Sequence, residues 1–180
     1  MYEIIKNHNN GIIEFTIPEF QDQRGSFQKL FNFKDFLNLG IQFEPKEHFH
    51  SISKKNVIRG MHFQTDESSH NKIIHCIKGS IVDVCVDIRR SSPFYNQPVS
   101  IKLKENSNLA VFVPKGFAHG FLSLEDDTIV QYMADKEHNP LKDKGILWNS
   151  INYKWECTNP ILSNRDLSHP SIGDQECIFF

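Results

Sequence analysis

From Ser80 to Ile88 the chain reads SIVDVCVDI, with Val82, Val84, Val86 and Ile88 on one side of an extended backbone. Ile81, Asp83, Cys85 and Asp87 fall on the other side. This period of two identifies a strand. It also gives Asp83 and Asp87 a common face, toward solvent or toward a polar barrel mouth. Similar short apolar runs recur along the chain: IIEFTIPEF, ending at Pro18; FQDQRGSFQKLF, turning at Arg24-Gly25; NVIRGMHFQ; NKIIHCIKG; VSIKL; and NLAVFVP. KGFAHG reads as a tight connection, and FLSL-EDD-TIVQYMA as a hairpin about an acidic turn. NFKDFLNLG has the spacing of one short helix stopped by Gly40, and SSPFYNQP is loop. Beyond Trp148 the periodicity fades into short helical turns and loop. Many short strands with frequent turns predict a mainly β fold, an antiparallel barrel or jelly roll.

Composition narrows the partners more than the fold. The 180 residues are 39% hydrophobic and 23% charged, with a formal net charge of −2. That is an ordinary globular balance with no basic field for a nucleic acid, which leaves a small molecule or a protein as partner. The four cysteines, Cys76, Cys85, Cys157 and Cys177, form no CxxC pair. Cys76 and Cys85 lie inside apolar runs and read as reduced core residues. No apolar run reaches membrane-spanning length and the N-terminus lacks a signal pattern, so a soluble cytoplasmic protein is expected.

Polar side chains interrupt this β background in a few places: HFHSIS, VIRGMHFQ, PKGFAHGF, YMADKEHNP and SNRDLSHP. Arg59 and His62, three apart on a strand, would face opposite sides unless a bulge at Gly60-Met61 brought both into one cavity. Taken alone, His62 fits a core imidazole, a metal ligand or a base. Pro114-x-Gly116-x-x-His119 has the form of half of a cupin metal signature. The other half needs two histidines and a carboxylate, whereas Gln64 is all that lies near His62. No metal site is therefore expected. Asp166 would suit as a carboxylate partner orienting a catalytic histidine.

Taken together and in order, FQDQRGSF, VIRGMHFQ, KIIHCIKGSIVDVCVDIRRSSP, VPKGFAHGF, GILWNS and PILSNRD resemble the dTDP-4-dehydrorhamnose 3,5-epimerase family over residues about 12 to 167. The resemblance implies a cupin-type jelly roll that uses no cofactor and pairs as a homodimer. It implies one domain over 1–180, with a barrel core at about 12–148 and the segment from about 149 folding back over it. The implied substrate is a nucleotide-diphosphate 4-keto-6-deoxy sugar, hexose or heptose, inverted at C3, C5 or both. Protons beside the C4 ketone are weakly acidic, and imidazole, titrating at roughly 6.5, is a suitable base near neutral pH.

By motif, His62 would be that base, Asp166 its partner, and Lys72 the stabiliser of the C4 oxyanion. Arg24 would grip phosphates as a guanidinium fork, with Phe27 on the same hairpin. Arg59, Gln64, His119 and Tyr132 would line the substrate pocket, with Asp83 behind them. Four positions depart from the family pattern. His138 stands where a tyrosine acid is usual, two residues before Pro140, so either His138 donates the proton or only one carbon is inverted, C3 being the candidate. Lys29 replaces a glutamate, Glu47 a glutamine and Phe49 an asparagine near the nucleotide, which opens GDP- and CDP-linked sugars beside dTDP. A 3,4-ketoisomerase and a non-catalytic sugar-binding cupin are the competing readings.

Overall fold

The computed structural model describes residues 1–175; Cys177 and the rest of the last five residues lie outside it. Thirteen strands and two short helices follow one another among the described residues. They are β1 Glu3–Asn7, β2 Ile13–Thr16, β3 Glu19–Asp22, β4 Gly25–Gln28, α1 Phe33–Asn38, β5 Glu47–Ser53 and β6 Ile58–Gln64. The remainder are β7 Lys72–Lys78, β8 Ser80–Asp87, β9 Pro98–Lys104, β10 Leu109–Val113, β11 Phe117–Ser123, β12 Thr128–Ala134, β13 Asp143–Gly145 and α2 Asn164–Leu167. One sheet has the order β1-β2-β10-β7-β12-β5 and the other β13-β6-β11-β8-β9, with every pairing antiparallel; β3 and β4 form a separate hairpin. This is the expected mainly β, antiparallel jelly roll with short peripheral helices.

The two-residue period decides what each face covers. Ile81 and Cys85 point between the sheets, where they meet Ile74, Cys76, Val111, Val113, Phe117, Phe121 and Val130 from the other strands. Val84 and Val86 point outward and are buried by the C-terminal segment, through Ile151, Trp155 and Ile172. On the far side of the other sheet, Phe36 of α1 packs against Tyr2, Phe15 and Phe31. The middle strands of both sheets are therefore covered on both faces, and this is why β8 beyond Ser80 is apolar on both sides apart from Asp83 and Asp87.

Three local expectations change. FLSL and TIVQYMA do not form a hairpin: β11 pairs with β6 and β8, whereas β12 pairs with β5 and β7. Between them the chain crosses from one sheet to the other. The Glu125 carboxylate accepts from Ser80 Oγ at 2.6 Å, and its carbonyl accepts from the Ser123 and Thr128 hydroxyls. The acidic turn thus ties its strands to the crossover rather than to each other. FAHG belongs to β11, not to a connection. Asp83 and Asp87 share a face, but neither meets solvent: both are fully buried. Asp87 is closed off by Arg89, Ser92 and its own loop.

Where β6 meets β11 the register slips: His62 pairs with His119, and Arg59 with Phe121. Three steps along β6 thus match two along β11, which is the bulge at Gly60-Met61. Gly60 and Gly120 make it possible by letting the two backbones touch. A Cβ on Gly120 would lie 2.7 Å from the Arg59 carbonyl oxygen and 2.7 Å from Met61 Sδ. Gly120→Ala is expected to lower the unfolding free energy by about 1–3 kcal/mol through overpacking. Denaturant melts measure this, and an unchanged midpoint would show that the backbones yield freely.

Candidate active site

A cavity of about 580 Å³ opens between the sheets, lined from β5, β6, β7, β11, β12 and the residues around α2. Ten of the twelve site residues expected from sequence line it: Glu47, Phe49, Arg59, His62, Gln64, Lys72, His119, Tyr132, His138 and Asp166. Arg24 and Phe27 do not. They sit on the β3–β4 hairpin, with Arg24 held by Asp22 and the Phe27 ring 59% exposed.

His62 is positioned by the bulge and by α2. Ser163 caps that helix, its hydroxyl accepting from the Asp166 backbone N–H at 3.0 Å. The cap presents the Asp166 carboxylate to β6, where Oδ1 accepts from His62 Nε2 at 2.8 Å and Oδ2 accepts from the Gly60 N–H at 3.3 Å. Burial alone would raise the Asp166 pKa, but the hydrogen bonds from His62 and Gly60 and the charge of His62 outweigh it and hold it below the usual carboxylate range. The His62 side chain remains 28% exposed, open to the cavity. With Nε2–H given to Asp166, the lone pair is at Nδ1.

Lys72 opens β7 at the cavity wall, and among the described residues its ammonium makes no hydrogen bond or ion pair. Burial pushes its pKa down, against the pull of Asp143 and Asp83. It is a cation available to a developing negative charge. Deeper in the barrel, His119 Nε2 donates to Asp83 Oδ1 at 2.6 Å, and the Cys85 thiol donates to Asp83 Oδ2. Burial and Asp83 push the Cys85 pKa well up, so the thiol stays protonated. The Tyr132 phenol shares a hydrogen bond with Ser51, and its ring stacks on Phe49 at 5.0 Å between centroids. Burial raises its pKa, so it too keeps its proton.

Glu47 and Gln64 turn out to spend their polar atoms on the loop that carries His138. Glu47 accepts from the His138 backbone N–H at 2.8 Å, and Gln64 Oε1 accepts from the Asn139 N–H at 2.6 Å. The His138 ring is half exposed and rests 3.2 Å from Asp143, which also pairs with Arg165. Sequence reasoning missed His70, whose Nδ1 accepts from the Gln64 amide. Burial and nearby Lys72 lower its pKa to about 4, leaving a neutral ring on the cavity wall. Its place two residues before Lys72, on the same side of an extended chain, was the available signal. Asp143, Arg165 and His169 were also missed, since isolated charged residues on very short elements and loops carry no spacing.

Residues 7–174 match the family described as dTDP-4-dehydrorhamnose 3,5-epimerase. A protein of that name from Escherichia coli K12 is 40% identical over 169 residues, covering 91% of this chain and 90% of the relative. The crystal structure of such an epimerase from Bacillus anthracis, with TDP and pyrophosphate bound, superposes with a TM-score of 0.91 at 34% identity, covering 94% of this chain and 99% of that one. A dTDP-6-deoxy-D-glucose-3,5-epimerase from Legionella pneumophila, solved with dTDP-4-keto-L-rhamnose, gives 0.92 at 27% identity, covering 98% and 95%. A near-complete match in sequence and in fold leaves one conclusion: the chain belongs to the dTDP-4-dehydrorhamnose 3,5-epimerase family, an isomerase class.

Proposed function

We propose that this chain inverts C3, C5 or both in a dTDP-linked 4-keto-6-deoxy sugar, working as one unit from barrel to C-terminal segment and acting in the cytoplasm. The observation that carries the reading is the His62–Asp166 pair opening onto a cavity beside the Lys72 ammonium. His62 Nδ1 takes the proton from a carbon next to the C4 ketone, and the imidazolium formed is balanced by Asp166. The electron pair moves onto the C4 oxygen, where Lys72 meets it. A proton delivered to the opposite face completes the inversion. Neither step needs a metal or a redox group, because the ketone already acidifies both neighbouring positions.

Two donors on the cavity wall serve that last step. Tyr132 offers a phenol held protonated by its burial. His138 offers an imidazole on a loop steadied by Glu47, Gln64 and Asp143. The thymidine base is favoured by the names of the relatives and by their bound ligands. Phe49, 45% exposed at the cavity and stacked on Tyr132, is suited to lie against a base or sugar face.

In a single chain the phosphate grip is incomplete, since Arg24 is on the separate hairpin with Phe20 and Phe27 both more than half exposed. We assign this hairpin to the site of a second copy in a homodimer, where its aromatic face is covered and Arg24 exchanges Asp22 for phosphate oxygens.

In heavy water with a dTDP-linked 4-keto-6-deoxy sugar, deuterium is expected at C3, C5 or both. No label at either carbon with dTDP-, GDP- and CDP-linked sugars would sink the epimerase reading. His62→Ala should cut exchange at least about a thousandfold with an unchanged fold. Comparing Tyr132→Phe with His138→Ala identifies the donor: exchange survives while net inversion falls at the carbon each one serves. If both variants invert normally, neither is the donor. Mixing Arg24→Ala chains with His62→Ala chains should restore about a quarter of wild-type activity, because half of the dimers then hold one complete site. Failure to complement would place Arg24 in its own chain's site.

A further inference from the structure

Behind the His62–Asp166 pair lies a third donor that the proposed reaction does not use. His169 follows α2, and its ring meets His62 edge-on, with centroids 5.8 Å apart at 76°. Its Nε2 is buried and has no hydrogen-bond partner among the described residues. It points at the pair, 4.0 Å from the same Asp166 Oδ1 that accepts from His62. The niche exists because residue 145, paired in register with His62, is glycine: a Cβ there would lie 2.4 Å from His169 Nε2. A buried nitrogen without a partner costs free energy unless something satisfies it.

The three atoms together make a recognisable donor set. One ring nitrogen of His62, a carboxylate oxygen of Asp166 and one ring nitrogen of His169 all lie within 4.8 Å of one another. Zinc takes imidazole nitrogen and carboxylate oxygen at about 2.0–2.2 Å, which separates neighbouring ligands in a tetrahedron by about 3.3 Å. The 2.8 Å and 4.0 Å separations at Asp166 Oδ1 bracket that spacing, so small side-chain shifts suffice. A second cluster, Asp83, Cys85 and His119, is equally compact. Its carboxylate, like that of Asp166, is already bonded, here to His119 and Cys85, but the Lys72 ammonium lies within its field and opposes a cation.

We propose that His62, Asp166 and His169 form an inhibitory site for a borderline divalent transition metal such as Zn2+. When the ion bonds to His62 Nε2, the proton there moves through solvent to Nδ1, so the ring stays neutral. The lone pair that would accept the substrate proton is then occupied, and the base is out of use without any change in fold. His169 supplies the third ligand and has no part in the uninhibited reaction.

Co2+ serves as the spectroscopic probe and Zn2+ as the inhibitor. Wild-type protein titrated with Co2+ should develop the visible absorption of a tetrahedral nitrogen- and oxygen-ligated site. Micromolar Zn2+ should suppress solvent exchange, and a chelator should restore it. His169→Ala is expected to keep basal exchange while losing the cobalt band and at least about tenfold in zinc sensitivity. His169→Gln, which fills the niche, guards against a folding defect, and its melting curve shows whether the fold is intact. An undiminished cobalt band in both variants, no band in the wild type, or a sulfur-to-cobalt band implicating Cys85 would each overturn the proposal. The inhibition arm rests on His62 being the base; the cobalt spectrum does not, so failure of that reading leaves the metal site standing.

Discussion

Everything at the site depends on one carboxylate with two obligations. Asp166 accepts from the His62 ring and from the backbone of Gly60, joining residues more than 100 positions apart in sequence. The first bond fixes which imidazole nitrogen carries the proton. The second fixes the bulge that turns Arg59 and His62 into the same space. An isolated buried carboxylate would be costly, but here each oxygen has a donor and Ser163 caps the short helix beneath it. The C-terminal segment therefore does two jobs at once: it buries the outer face of β6, β8 and β11, and it delivers the anion.

How much of this could be read from the sequence differs by element. The face assignment in β8 follows from period two alone, and Cys85 and Asp83 lie inside as that period requires. What a strand pairs with is another matter. FLSL and TIVQYMA look like hairpin strands because local pattern cannot distinguish a turn within a sheet from a crossover between sheets; Glu125, bonded to Ser80, settles it through a long-range contact. FAHG resembled a connection because of its glycine, yet Gly120 is there for the close approach of Gly60. The strand β1 was overlooked because its residues are exposed throughout and carry no alternation.

The site residues divide in the same way. Those within ordered motifs, His62, Lys72, His119 and Asp166, come together at one cavity. Glu47 and Gln64 were singled out as possible substrate contacts, but most of their hydrogen bonding is internal, to the loop at Glu137–Asn139. His169 is invisible from spacing, since its meaning depends on the missing side chain at Gly145 across the strand pair.

The strand β5 sits at the rim of its sheet, hydrogen-bonded among the described strands only to β12. Glu47, Phe49 and Ser51 project from it toward the cavity, while His62, Lys72 and His119 stand on strands flanked on both sides. A side chain on a rim strand can be exchanged without disturbing a ladder on its far side. A different side chain at Phe49 would reshape the cavity wall and leave the ladders flanking β6, β7 and β11 unchanged. The fold thus keeps the adaptable part of the cavity wall on a rim strand and the His62–Asp166 pair on an interior one, and Phe49 lies on the rim.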